Sequence, residues 1–295
     1  MSPSEPEVLA ALAAYRSHIS SLNHRAFSAM IPDIEAASLD DPDHFESKEK
    51  REARLEFLLN VVGAERDGTS PPITRPSDLL THWEALAPQL ALDGASVCPE
   101  SFWRDEIRGA YMRGILRGLN GRCSGSGPLG GDITWEFPTD LAVILQQVDS
   151  LEGPGWCRYR DQCETVIFFE GWVRDGDGWS EFANEESAAA LVKTPDEIIK
   201  YTQGLKDEYE IAGGWACGDK GNEATCYVVY SRPRDGGEEE EEVKERSWSW
   251  RYVATLGQFG EEVFEDVVGM LEWYKSYDEP QEQDWEVLPG EVFGR

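Results

Sequence analysis

The feature that most constrains this fold is a set of strand-like segments packed closely together late in the chain. Ile211–Cys217 and Ala224–Tyr230 are short and rich in β-branched or aromatic residues. Only the turn-rich Gly218-Asp-Lys-Gly-Asn222 stands between them. Ser247–Leu256 follows, and its Trp248, Trp250, Tyr252 and Ala254 alternate onto one face with period two. Thr165-Val-Ile-Phe-Phe169 reads as a further, buried strand. Strands grouped in this way, with tight turns between them and helices on either side, argue for an α+β fold. The sheet is expected to be antiparallel rather than assembled from βαβ units.

The flanking helices are written in spacing and caps. Val8, Leu12, Tyr15, Ile19 and Leu22 form one apolar stripe behind Ser4 and Glu7, which are placed as a capping box. A second helix is expected from about Ser47 to Val62, stopped by Gly63. Trp103–Leu119 carries Ile107, Tyr111, Ile115 and Leu119 on one stripe but includes Gly109, Gly114 and Gly118. Each glycine costs about 1 kcal/mol against alanine, so this helix needs tertiary packing to hold it. Pro138 opens Thr139–Val148, Thr194-Pro-Asp-Glu197 is a second capping box, and Val263–Tyr274 reads as a closing amphipathic helix.

Charge is unevenly placed. The net charge of the 295-residue chain is −30. Residues 1–130 hold 19 acids and 13 bases, and residues 131–295 hold 38 acids and 14 bases. Nine of the eleven tryptophans lie at or after Trp135, while all four histidines precede residue 83. The change falls near the Gly/Ser-rich stretch Asn120–Gly131. The expected organisation is therefore a helical region 1–120, a linker 121–133, an α+β domain 134–277 and an acidic tail 278–295. A surface this acidic repels phosphate backbones and anionic lipid heads, so neither nucleic acid nor a membrane is an expected partner. No apolar run reaches the roughly 20 residues of a membrane-spanning helix, and the N-terminus lacks a signal-peptide pattern. These features lead us to expect a cytoplasmic or nuclear protein with reduced cysteines.

Candidate chemistry is sparse. Residues 83–295 contain no histidine, which excludes a histidine-based nucleophilic site built wholly within them. The cysteine spacings, Cys157 to Cys163 and Cys217 to Cys226, match no paired metal-ligand pattern. Asp175-Gly-Asp177-Gly-Trp179-Ser-Glu181 resembles a calcium loop only superficially, because Trp179 and Ser180 stand where an oxygen ligand and a glycine are needed. A hairpin turn accounts for the same residues. Gly213 and Gly214 lack the order of a phosphate loop and are expected to mark a bulge or a close backbone approach. Arg104, Arg108, Arg113, Arg117 and Arg122 form the one basic cluster, either solvated or docked on the chain's own acidic half. No catalytic residue, cofactor or metal is expected. The candidate binding face is Trp172, Trp179, Trp215, Trp248 and Trp250 with the acidic run Glu238, Glu239, Glu240, Glu241 and Glu242.

Several C-terminal segments carry a family resemblance. They are Phe137-Pro-x-x-Leu141, Gly153-Pro-Gly-Trp156, Ile211-Ala-Gly-Gly-Trp215, Tyr227-Val-Val-Tyr230, Trp250-Arg-Tyr-Val253 and the terminal Val263–Tyr274. In this order they resemble the SUKH superfamily, which includes fungal cell-wall-synthesis regulators and bacterial toxin-immunity proteins. Members open with a Leu-Pro-x-x-hydrophobic helix, carry a short-stranded antiparallel sheet and close with a Phe-x-x-Phe-Leu helix. The resemblance covers about residues 134–277. It departs at the insert Gly171–Gln203 and at the acidic run. It implies a non-enzymatic binding or scaffold role and carries no catalytic residue with it. The expected function is thus a protein–protein interaction or regulatory module whose acidic, Trp-rich face meets a basic protein. The alternative is a hydrolase or transferase that uses carboxylates alone.

Overall fold

The computed structural model describes residues 2–38, 47–66, 68–97, 101–123, 134–153, 166–168, 174–175, 178–179, 185–220, 224–234, 247–256, 261–275, 285 and 287–294. The first third forms helices α1 (Glu5–Ala36), α2 (Ser47–Val62), α3 (Asp78–Thr81) and α4 (Trp83–Gln89), then strand β1 (Ala95–Ser96). Next come α5 (Ser101–Arg122), α6 (Thr139–Gln147), β2 (Ser150–Gly153), β3 (Val166–Phe168), β4 (Arg174–Asp175) and β5 (Gly178–Trp179). They are followed by α7 (Glu185–Ala190), β6 (Val192–Lys193), α8 (Pro195–Tyr201) and α9 (Gln203–Glu208). The remainder is β7 (Tyr209–Lys220), β8 (Ala224–Pro233), β9 (Ser249–Leu256), β10 (Glu261–Phe264), α10 (Val267–Tyr274) and α11 (Pro289–Val292). The fold is α+β. Among the described residues no helix is long and apolar enough to cross a membrane.

The described residues divide into two compact units. The sheet unit lies within Met1–Leu12, Cys98–Leu151 and Val166–Trp273, and the helical unit within Ala13–Val97, Glu152–Thr165 and Tyr274–Arg295. This differs from the sequence boundary, which placed α5 with the helices before it. The expected linker lies largely outside the described residues. The expected acidic tail is also more than a tail: Trp285, Val287 and Val292 are buried in the core of the helical unit. There they join Phe27, Met30 and Ile34 of α1, Leu58 of α2, and Leu79 and Trp83 of α3 and α4. Apolar side chains among those acids supply the burial that their charge conceals.

The α1 stripe is buried throughout, with Tyr15 and Ile19 fully so. At its start the Ser4 backbone N–H donates to Glu7 at 2.7 Å, and the Ser4 hydroxyl does the same at 2.6 Å. The Thr194–Glu197 capping box at α8 closes in both directions.

The sheet unit is built on a five-stranded sheet in the order β10-β9-β8-β7-β6, every neighbouring pair antiparallel. On one face Ile198 of α8 and Leu205 of α9 cover Ile211, Tyr227, Val229 and Val253. The other face carries Trp215, Val228 and Tyr252, all fully buried. A register shift between Ile211 and Gly213 marks the bulge expected there. A side chain at Gly213 would meet Cys123 Sγ at 2.7 Å, so close approach holds as well.

The chain between residues 261 and 274 corrects the sequence reading of one closing helix. Glu261–Phe264 instead pairs with β9, with Val263 opposite Val253. The helix begins only at Val267. Asp266 Oδ1 accepts the Gly269 N–H at 2.9 Å there, the bond of an N-cap, and so sets the boundary.

Packing of α5 explains its glycines. A Cβ at Gly114 would lie 2.5 Å from the Glu185 carbonyl and 2.6 Å from Ala188 Cβ of α7, and one at Gly118 would lie 2.6 Å from Val192 Cγ2. The missing side chains let the helix lie directly on α7 and β6. Three of its arginines then dock on acidic residues of the same unit. Arg108 is buried with Asp149 at 3.0 Å, Arg113 meets Glu185 at 2.5 Å, and Arg122 meets Glu197 at 2.8 Å.

Candidate functional site

An aromatic cluster on one face of the sheet is the most distinctive arrangement in the sheet unit. Its base is Trp215 on β7. This residue was expected on a binding face but is fully buried. Its indole N–H donates to the Tyr111 hydroxyl of α5 at 2.9 Å, and its ring stacks on Phe137 with centroids 5.5 Å apart. Position 215 faces inward because it stands opposite Val228 of β8, which is buried on the same sheet face, so Trp215 belongs to the core. Burial raises the Tyr111 phenol above its ordinary range, so the hydroxyl stays protonated.

Trp250 lies above Trp215, edge to face, with centroids 5.2 Å apart. The β8–β9 register sets Tyr230 opposite Trp250, and their rings meet at 5.0 Å. Trp135, from the segment before α6, packs on both, 5.6 Å from Tyr230 and 5.9 Å from Trp250. Trp248 stacks on Tyr230 at 5.7 Å with an interplanar angle of 24°. The Arg232 guanidinium lies 5.1 Å from the Trp248 ring, within cation–π range, and is itself held by Glu210 at 2.7 Å. The Trp250 indole N–H donates to the Glu136 carbonyl at 3.0 Å, which ties the 134–138 segment to β9. Above these rings opens a recess of about 320 Å3 whose lining includes Trp135, Glu136, Pro138, Tyr230, Trp248 and Trp250. Trp248, Trp250 and Tyr230 are half-buried there, and the Glu136 side chain is exposed. Burial, with the Glu136 carboxylate nearby, raises the Tyr230 phenol.

Asp140 also lines the recess but is structurally engaged. It accepts the Tyr252 hydroxyl at 2.8 Å and the Val267 N–H at 3.0 Å, so one buried carboxylate joins α6, β9 and the start of α10. Burial foremost, then the Asp140 charge, holds the Tyr252 phenol well above its ordinary range.

Of the other sequence candidates, Trp172 and Glu238–Glu242 lie outside the described residues. Trp179 is placed only as far as its strand. There β4 and β5 pair Asp175 with Gly178, the tight hairpin that the Asp/Gly composition predicted. Among the described residues no three histidine, cysteine or acidic side chains converge as a metal site. Cys217 and Cys226 are buried free thiols on adjacent strands. Sequence reading missed Trp135, Tyr230, Glu136 and Arg232. The signal for Tyr230 was its alternation with Val228 along β8, whereas Trp135 and Glu136 precede a helix and carry no periodicity.

The helical unit has a second cavity, of about 690 Å3, along α1 and α4. Its lining includes Arg16, Ser20, His24, Trp83 and Asp93. Its polar groups largely serve one another. Asp93 accepts two bonds from Arg16 at 2.5 and 2.9 Å, and Trp83 donates to Ser20 at 3.0 Å. Burial raises the Asp93 carboxyl, against the pull of the Arg16 charge. No family model, curated protein or solved structure matches the chain.

Proposed function

We propose that the protein is a non-enzymatic interaction module, and that the aromatic recess engages a basic protein partner. The observation that carries this reading is the placement of half-buried Trp248 and Trp250 beside the exposed Glu136 carboxylate, all on a braced sheet face. Large flat rings with a polar rim are what recognition surfaces use for contact area at low entropic cost. The residue 131–295 half of the chain, with 38 acids and 14 bases, supplies a field that accelerates encounter with a cationic partner. The SUKH resemblance points the same way. A carboxylate-based enzyme would need two free, convergent acids. Among the described residues the two buried acids that line the cavities are instead engaged, Asp140 by Tyr252 and Val267, and Asp93 by Arg16.

The test is a binding comparison on the full chain, using a set of Lys/Arg-rich peptides against acidic peptides of equal length. Basic peptides are expected to bind, with an on-rate that falls about tenfold between low and physiological salt. Glu136→Gln is expected to lower that rate while the melting temperature stays unchanged. Equal retention of acidic and basic peptides would overturn the reading.

A further inference from the structure

Resting on that reading, we propose that the recess takes a proline-rich segment in the polyproline II conformation, flanked by arginine or lysine. The first ground is unmet hydrogen bonding. Among the described residues three buried indole N–H groups have no acceptor, those of Trp135, Trp248 and Trp285, and two of the three belong to tryptophans that line this one recess. Trp215 and Trp250, by contrast, have theirs. Two donors beside the recess are therefore left for an incoming acceptor. A polyproline II segment makes no internal hydrogen bonds and leaves every carbonyl free to accept. Neither donor is solvent-exposed, so both rings must turn when the occupant binds.

The second ground is shape. The recess lies on the face of the sheet, so its occupant does not extend the sheet as a strand. At about 320 Å3 it is too short for the several turns of an amphipathic helix. Proline rings suit contact with the half-buried Tyr230, Trp248 and Trp250 that line the recess, and a segment already extended loses little entropy on docking. The third ground is charge. Glu136 at the rim and the excess of acids in this half of the chain favour a cation next to the prolines. Trp248 already accepts one guanidinium, that of Arg232.

Three peptides titrated into the intact chain test this: an Arg-flanked proline-rich peptide, the same peptide with every proline changed to alanine, and the same peptide with its arginines changed to glutamate. The first is expected to bind at least tenfold tighter than either of the others, and to shift the indole N–H resonances of Trp135 and Trp248 but not that of Trp215. Trp248→Ala should weaken it at least tenfold, and Glu136→Gln, at an exposed position, several-fold with an unchanged melting temperature. Equal binding of the alanine peptide would overturn the polyproline II inference and leave the basic-partner reading standing. Equal binding of the glutamate peptide would remove the basic-partner reading and the charge requirement with it. No binding by any of the three, with the wild-type chain folded, would overturn the inference outright.

Discussion

Asp78 shows how one carboxylate can tie stability to pH. Burial works to raise its pKa, but the Thr74 hydroxyl and N–H and the Arg75 side chain and N–H all donate to it and outweigh that effect. The carboxyl is held at about 2, below its ordinary 3.8. A carboxyl depressed in the folded state contributes stability that is full above the unfolded pKa and disappears as pH falls through the folded one. The contribution is on the order of 2 kcal/mol, present above about pH 4 and lost on approach to pH 2. Urea unfolding at pH 5, 3 and 2 should show the gap between wild type and Asp78→Asn closing as pH falls. A gap that stays constant across that range would assign the stability to Asp78 packing instead. This turn was not legible in the sequence. Thr74, Arg75 and Asp78 are ordinary surface residues until the loop brings two N–H groups and a hydroxyl onto one oxygen.

At the scale of elements, α5 makes the sharper case. Its glycines have opposite meanings, and helix propensity alone does not separate them. Gly114→Ala would gain propensity but force a methyl group to 2.5 Å from the Glu185 carbonyl, an overpacking cost of about 1–3 kcal/mol. Gly121 has nothing within 4 Å of its would-be Cβ, so Gly121→Ala should stabilise by roughly 0.5–1 kcal/mol. Thermal unfolding of the two variants should therefore move in opposite directions. Two shifts of the same sign would mean that α5 does not lie on α7 as described. The sequence announced a helix in need of packing, and the capping box at α8 and the central hairpin were equally readable, because caps and period-two alternation are local. The β10–α10 boundary was hidden for the converse reason. Val263 suits either a helix stripe or a strand, and only pairing with Val253 decides it. Most of the recess was hidden as well. Trp248 and Trp250 stood out by alternation, but Trp135 reaches them from more than 100 residues away, and Trp215 had the look of a contact residue until Tyr111 and Phe137 closed over it.

Over the whole molecule, the net charge of −30 weighs on stability as well as on recognition. Like charges at this density repel one another in the compact state, and salt screens that repulsion over about 8 Å at physiological ionic strength. Ion pairs of the described residues that salt would weaken oppose this only in part. Arg113–Glu185 and Arg122–Glu197 are exposed enough to contribute little, and Arg108–Asp149 is shielded by burial. The melting temperature should therefore rise as sodium chloride is increased from about 10 to 300 mM, a range over which the Debye length shrinks from ~30 Å to under 8 Å. A falling melting temperature would mean that attractive pairs dominate the field.

The five-stranded sheet also ends on very short strands. The outermost are β6, of two residues, and β10, of four, and β10 begins with Glu261-Glu262. Long, flat, uncharged borders are where a second chain adds on by backbone pairing and seeds fibrils. Here a passing copy would find few amides in register along β10, and a pair of carboxylates among them. On that side a Trp-rich sheet thus offers stacked aggregation little purchase.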